Sequence, residues 1–242
     1  MNCYYCEKEQ YDVIGTKNGC TIVKCQSCGF YYMTPHPTEE QMKNVYDLYD
    51  GNERNLKNVS WKLKRFKRKL WFLVKFMKGK DFLDIGCNIG FGAEAARSYG
   101  LNATGIDVSP DAIHHAKRLF PDNNYYNMTS TGLAEQGKKF DLILCCEVIE
   151  HLTDVHGFMK SIKKLLKKDG LLYLTTPDAG HFRVPKNFLS WKEVQPPEHI
   201  GFFNKKLIKN LFDEYQLKIL FFHPMFKPNL RVFARNTNQE TN

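Results

Sequence analysis

The stretch Phe82-Leu-Asp-Ile-Gly-Cys-Asn-Ile-Gly-Phe-Gly92 constrains the fold of this chain more than any other. A short apolar run ends in Asp84, a glycine-rich turn follows, and Ala93-Glu-Ala-Ala-Arg-Ser-Tyr99 has helix composition. Strand, glycine turn and helix in that order open a nucleotide-binding α/β unit. A second acid, Asp107, closes the next apolar run, Ala103-Thr-Gly-Ile-Asp107, where a ribose-binding carboxylate would lie. A dinucleotide loop needs G-x-G-x-x-G so that backbone can approach a pyrophosphate. Here the turn is Gly86-Cys-Asn-Ile-Gly90, with an acid two residues before it. A carboxylate at that place repels phosphate and attracts a cation.

The strands and helices expected downstream continue the alternation. Strands are expected near Phe82–Ile85, Ala103–Asp107, Asn124–Asn127, Asp141–Cys145, Leu171–Thr176, Lys218–Phe222 and Leu230–Ala234. Helices are expected near Gly92–Tyr99, Pro110–Phe120, Val155–Lys168 and Lys205–Tyr215, with Ser109-Pro110 as an N-cap and first-turn proline. Strands separated by helix-length segments imply a doubly wound, mostly parallel α/β sheet of seven strands. No helix-length segment separates the last two strands, which should therefore form an antiparallel edge pair.

The N-terminus is different in kind. Cys3-x-x-Cys6 and Cys25-x-x-Cys28 form two knuckles flanking strand-like runs at Tyr11-Asp-Val-Ile and Thr21-Ile-Val-Lys. Two such turns present four thiolates, the set that structural zinc prefers, in a ribbon of about thirty residues. Four buried cysteines or a redox pair are the alternatives. Cys20 lies outside both knuckles. The chain thus divides into a zinc ribbon over 1–34, a linker with helices over 35–80, an α/β domain over 81–235 and a polar tail over 236–242. In the linker, Thr38-Glu-Glu-Gln41 is a capping-box pattern, Gly51–Asn55 breaks the helix it starts, and a basic amphipathic helix runs from Trp61 towards Lys80. That helix is expected to pack on the sheet with its basic face solvated.

Eight cysteines without a secretion signal or membrane-length apolar run point to a reducing, cytoplasmic setting and against disulfides. A net charge of +9 suggests an anionic partner without choosing among nucleotide-sugars, phosphorylated metabolites, RNA or lipid surfaces.

From about Trp61 to Arg235 the chain resembles class I S-adenosylmethionine-dependent methyltransferases, whose first motif is D-x-G-C-G-x-G; Asn88 stands where a glycine is usual. Asn tolerates left-handed backbone better than other residues with side chains. The resemblance implies a Rossmann-like fold and S-adenosylmethionine as cofactor. Asp84, Gly86, Cys87 and Gly90 would surround its methionine and ribose portions, Asp107 would take the ribose diol, Val108 the adenine, and Cys146 and Glu147 would lie beside it. Asn127-Met-Thr129 replaces the acid that many members place against the adenine amino group.

A second motif, Glu147-Val-Ile-Glu-His151, resembles the E-V-x-E-H signature of ubiquinone-pathway O-methyltransferases and of small-RNA 2′-O-methyltransferases. That resemblance implies a divalent ion such as Mg²⁺ or Mn²⁺ on Glu147, Glu150, His151 and a later histidine, for which His199 is the candidate. Two other readings stay open. The Glu–His pair could anchor a loop, or His151 with Glu150 could work as a metal-free base at an ordinary imidazole pKa, which is the simpler reading. His181, Arg183, Trp191 and Glu198, in the loop after the fifth strand, are acceptor-binding candidates. The expected reaction is O-methylation of a small-molecule, sugar-nucleotide or glycan-precursor hydroxyl. An RNA methyltransferase, or a cofactor-binding pseudoenzyme whose ribbon recruits a partner, are the rivals.

Overall fold

In a computed structural model, residues 2–38, 41–42 and 57–237 are described. The break expected at 51–55, most of the helix opened at Thr38 and the tail from 238 lie outside them. Thr38 and Gln41 do form the reciprocal capping box: Gln41 N donates to Thr38 Oγ1 (3.1 Å) and Thr38 N to Gln41 Oε1 (2.8 Å).

The α/β body is a seven-stranded sheet. Its strands are β4 (Asp81–Ile85), β5 (Asn102–Asp107), β6 (Asn124–Asn127), β7 (Phe140–Cys146), β8 (Leu166–Pro177), β10 (Leu217–Phe222) and β11 (Asn229–Asn236). Their order is β10-β11-β8-β7-β4-β5-β6. The five from β8 to β6 are parallel, while β11 runs antiparallel to both β8 and β10. Helices α1 (Val59–Leu73), α2 (Phe91–Arg97), α3 (Pro110–Leu119), α4 (Ser130–Glu135), α5 (Val155–Leu165) and α6 (Lys205–Glu214) flank it. The central strands are buried on both faces, as a parallel sheet covered by helices requires.

Local chemistry sets the boundaries. Ser109 Oγ accepts from Ala112 N at 3.2 Å with Pro110 in the first turn, so α3 starts where its cap dictates. Helix α4 has no strong sequence periodicity and was not expected; Thr129 caps it through Gly132 N at 3.1 Å. Helix α5 stops at Leu165 rather than Lys168, because Leu166 already enters β8, whose register with β7 shifts between Phe140 and Leu142. Helix α1 ends at Leu73 in a 3-10 turn over Val74–Phe76, short of Lys80. Leu70 and Leu73 of α1 are buried against the sheet, and its basic residues stay on the outer and cleft-facing sides.

The N-terminal residues form a second, antiparallel sheet of β1 (Tyr11–Lys17), β2 (Cys20–Cys25) and β3 (Tyr31–Thr34). Its fourth strand, β9 (Gly201–Phe202), comes from the far side of the α/β body and pairs with β3 as Tyr31↔Phe202 and Tyr32↔Gly201. One hydrophobic cluster runs from Ile22, Phe30 and Tyr32 through Phe202 and Phe203 to α5 and α6. Because the two sheets share this core, damage to it should spread to both. Phe202 is 1% exposed and meets Phe188 edge-on at 5.4 Å between centroids. Phe202→Ala should destabilise the protein by about 3–5 kcal/mol, the usual range for emptying a buried aromatic site. Urea unfolding measures it, and a loss below about 1 kcal/mol would mean that the sheets are energetically separate.

Candidate active site

The parallel register brings β4, β5 and β7 to an end at one level. The loop after β4 is folded onto β5: Gly86 N and Cys87 N both donate to the Ile106 carbonyl, at 2.9 and 3.0 Å. Asn88 takes the left-handed conformation (φ 47°), and its N–H donates to Asp107 Oδ2 at 2.8 Å. The other Asp107 oxygen accepts from Ser109 N at 3.0 Å. The Val108 backbone adds a further hydrogen bond to this carboxylate, and burial raises the Asp107 pKa. Two glycines are obligatory here for space. A side chain at Gly90 (φ 89°) would strike the Tyr125 hydroxyl, and one at Gly92 would strike the Asp84 carboxylate.

Asp84 is 3% exposed, and burial pushes its pKa up to about 7 against the pull of the Lys69 ammonium. Lys69 reaches in from α1 and donates to Cys146 Sγ at 3.1 Å. Val108 leaves an apolar surface 46% exposed at the same edge. Asp84, Gly86, Cys87, Asp107, Val108, Cys146 and Glu147 all line one cleft of about 1960 Å³, large enough for a cofactor and a second ligand.

Deeper along the cleft, the segment after β7 turns sharply, with Glu147 at φ 55°. Glu147 Oε1 accepts from Thr175 Oγ1 (2.6 Å) and Asn229 Nδ2 (3.0 Å). Glu150 is 1% exposed; one oxygen accepts from Thr176 Oγ1 at 2.9 Å and the other, Oε1, has no hydrogen-bond partner. Burial, reinforced by Glu147, raises its pKa far above the carboxylate range. His151 Nδ1 lies 2.7 Å from the Glu198 carbonyl and His199 Nδ1 2.7 Å from the Glu193 carbonyl. A carbonyl only accepts, so both Nδ1 atoms carry the proton and both Nε2 atoms keep a lone pair. The rings meet edge-on at 4.9 Å, and ligand atoms of Glu150, His151 and His199 all fall within 4.8 Å of one another. Glu147 is outside that cluster.

Burial and His199 push the His151 pKa down to about 4. An imidazole so perturbed is neutral at physiological pH but a weak proton acceptor, unlike the near-neutral base expected from sequence. Of the acceptor-loop candidates, Glu198 lines the cleft and orients His151 through its backbone. Trp191 is instead buried at 3% against Phe188 and Phe202. His181 contacts the Met225 carbonyl, and Arg183 stacks over Phe226 at 3.4 Å. Lys69, Asn229 and Arg231 were missed, because a lysine in a basic helix and two polar residues in a late strand carry no motif.

The loop bearing Glu193, Glu198 and His199 is held from outside by the N-terminal sheet. Lys17 Nζ donates to the carbonyls of Leu189 (2.8 Å) and Trp191 (3.3 Å), Asn18 Nδ2 to Pro196 O (3.0 Å), and Met33 N to Ile200 O (2.8 Å). Tyr31 stacks on Phe188 at 4.2 Å. From inside, Ile200 N donates to the Glu150 carbonyl at 2.9 Å. At the far end of the N-terminal sheet, Cys3, Cys6, Cys25 and Cys28 bring their sulfurs within 4.8 Å of one another, with Cys3–Cys28 at 3.7 Å and Cys6–Cys25 at 3.5 Å. The hydrogen bond from Cys28 drives the Cys3 thiol down to about 6.

A family model described as a methyltransferase domain matches residues 56–220. The chain is similar to ubiquinone biosynthesis O-methyltransferases. It is 38% identical to that of Glaesserella parasuis over 107 residues (40% of this chain, 45% of the relative). To that of Bartonella tribocorum it is 31% identical over 148 residues (57% and 60%). The chain thus spans about half the length of these relatives. Among solved structures it resembles the magnesium protoporphyrin IX methyltransferase of Synechocystis with bound S-adenosylmethionine. The TM-score is 0.60 at 14% identity, over 84% of this chain and 100% of that one. A methyltransferase of Archaeoglobus fulgidus gives 0.58 at 16% identity, over 72% and 94%. At such identities the likeness carries the fold.

Proposed function

This chain belongs to the methyltransferase-domain family, and we propose on that footing that it transfers the methyl group of S-adenosylmethionine to a hydroxyl of a small-molecule acceptor. The donor set of the β4–β5 edge fits the cofactor. Asp107 lines the cleft with both oxygens held by backbone N–H groups, a carboxylate suited to a ribose diol. Asp84 is a buried acid whose ionised form a cationic amino group would stabilise. Val108 offers an apolar face for adenine.

The observation that carries the hydroxyl reading is the Glu150–His151–His199 cluster. Two imidazoles with fixed tautomers and one carboxylate bring ligand atoms within 4.8 Å of one another, a set suited to a divalent ion such as Mn²⁺, Mg²⁺ or Zn²⁺. When bound, such an ion would hold and acidify an acceptor hydroxyl. The chain's own part is orientation. Glu198 and Glu193 carbonyls fix the two rings, Thr176 fixes Glu150, and the buried surroundings exclude water. The resemblance included Glu147 among the ligands; its bonds to Thr175 and Asn229 suit a residue bordering the acceptor instead. For the N-terminal cluster we propose structural zinc. A tetrahedral site with Zn–S near 2.3 Å needs sulfurs about 3.8 Å apart, close to the separations present.

Three measurements test these assignments. Asp107→Ala should weaken S-adenosylmethionine binding about ten- to hundred-fold, the value of losing a charge-assisted pair; calorimetry with equal affinities would sink the ribose role. Purified protein should bind one Mn²⁺ at the inner cluster, and His199→Ala should abolish that binding while sparing cofactor affinity. Chelator-insensitive methyl transfer, flat from about pH 6 to 8 and falling only below about 5, would instead mark His151 as a lone base. Elemental analysis should find zinc, absent from Cys25→Ser. In that variant hydrogen exchange should rise in 11–34 and also in 188–200, which the N-terminal sheet clamps; exchange confined to 11–34 would deny the clamp.

A further inference from the structure

Beyond the cofactor edge and the inner cluster, the cleft has a third chemical region that the reading above does not use. Along α1, Lys64, Arg65 and Arg68 face the cleft, and Lys69 follows them deeper in. Arg231 approaches from β11 on the same side, and Lys227 stands above it at the mouth. Lys69 lies 5.8 Å from the Tyr173 ring centre, and Tyr173 also contacts Arg231, so cations from two separate elements converge over one aromatic side chain. None of these six has an ion pair among the described residues, whereas Lys78, Arg97, Lys167 and Lys192 elsewhere do. Cations without an ion-pair partner that gather on one side of a concave site repel one another, and an anionic ligand relieves that repulsion.

The region is also aligned with the chemistry. Arg231 Nε donates to Asn229 Oδ1 (3.4 Å), and Asn229 Nδ2 donates to Glu147 (3.0 Å), so a single side chain separates the cations from the Glu147–Glu150 segment. Trp61, Phe72 and Phe226 line the same mouth and are 62%, 40% and 70% exposed, offering apolar contact beside the charges.

We propose that the methyl acceptor is a phosphorylated molecule, with its phosphate or diphosphate held between Arg65 and Arg68 of α1 and Arg231 of β11. Its hydroxyl end would then extend towards Glu150, His151 and His199. Guanidinium groups suit the several oxygens of a phosphate better than a single point charge does. A soluble acceptor is favoured over a lipid headgroup because the cations line a concavity that continues to the reacting end. This inference rests on the methyltransferase reading of the cleft.

The test is calorimetry on the full chain saturated with S-adenosylhomocysteine, titrated with inorganic pyrophosphate at physiological salt. Wild type should bind pyrophosphate. Arg68→Gln and Arg231→Gln should each weaken binding about ten-fold, the size of one lost charge-assisted contact. Arg68→Lys should bind more tightly than Arg68→Gln but less tightly than wild type, and S-adenosylhomocysteine affinity should not change in any variant. No pyrophosphate binding, or equal binding in all variants, overturns the proposal. So does binding to phosphatidylglycerol vesicles that pyrophosphate does not compete away, which would assign the cations to a lipid surface. Failure of wild type to bind S-adenosylhomocysteine would count against the methyltransferase reading, independently of the pyrophosphate result.

Discussion

The common level at which β4, β5 and β7 end is the constraint on which the rest depends. Parallel pairing fixes Asp84 opposite Gly105 and Leu144, and Ile85 opposite Ile106 and Cys145. Once those registers are set, the loop after β4 has one place to go. It folds onto the Ile106 carbonyl and the Asp107 carboxylate, which accept the hydrogen bonds of its Gly86, Cys87 and Asn88 N–H groups. A one-residue slip would turn Asp84 to the other face and dissolve the site. Burial of Asp84 is a standing cost of this geometry, since a carboxylate far from water resists ionisation. The Lys69 ammonium offsets part of that cost.

The acceptor side is organised by a different principle. A long loop between β8 and β9 carries the carbonyls that orient His151 and His199, and loops do not hold such geometry unaided. This one is fastened between two sheets. The Glu150 carbonyl holds Ile200 from within, while Lys17, Asn18 and Met33 hold the loop from the N-terminal side. The strand pair β3–β9 joins the N-terminal sheet to the segment that follows this loop. The cysteine cluster and the loop that orients the two histidines are thus joined through one sheet, by backbone hydrogen bonds and an aromatic stack.

The cleft itself grades in charge. Carboxylates and imidazoles line one part of it, and cations without an ion pair among the described residues line its α1 and β11 side. The net charge of +9 is thus not spread evenly over a solvated surface. Part of it is concentrated where a ligand would lie, next to groups whose own ionisation burial suppresses.

The sequence determined the alternation of strands and helices, because apolar periodicity and caps act locally; Ser109-Pro110 and Thr38…Gln41 cap as their residue types require. It also determined the glycine loop with Asp84 and Asp107, and the pairing of the two cysteine knuckles, since each motif is short and its spacing is its geometry. Tertiary structure alone decided the rest. Whether His199 meets His151 depends on a loop closure across 48 residues, fixed by a strand pair that involves the first module. Trp191 reads as an acceptor-binding candidate in sequence and is buried because Phe188 and Phe202 pack against it. Lys69 and Arg231 share a cleft only because α1 lies over β8 and β11. Contacts between distant segments leave no local signature, because the free energy that forms them is packing, which is set only when the whole core closes.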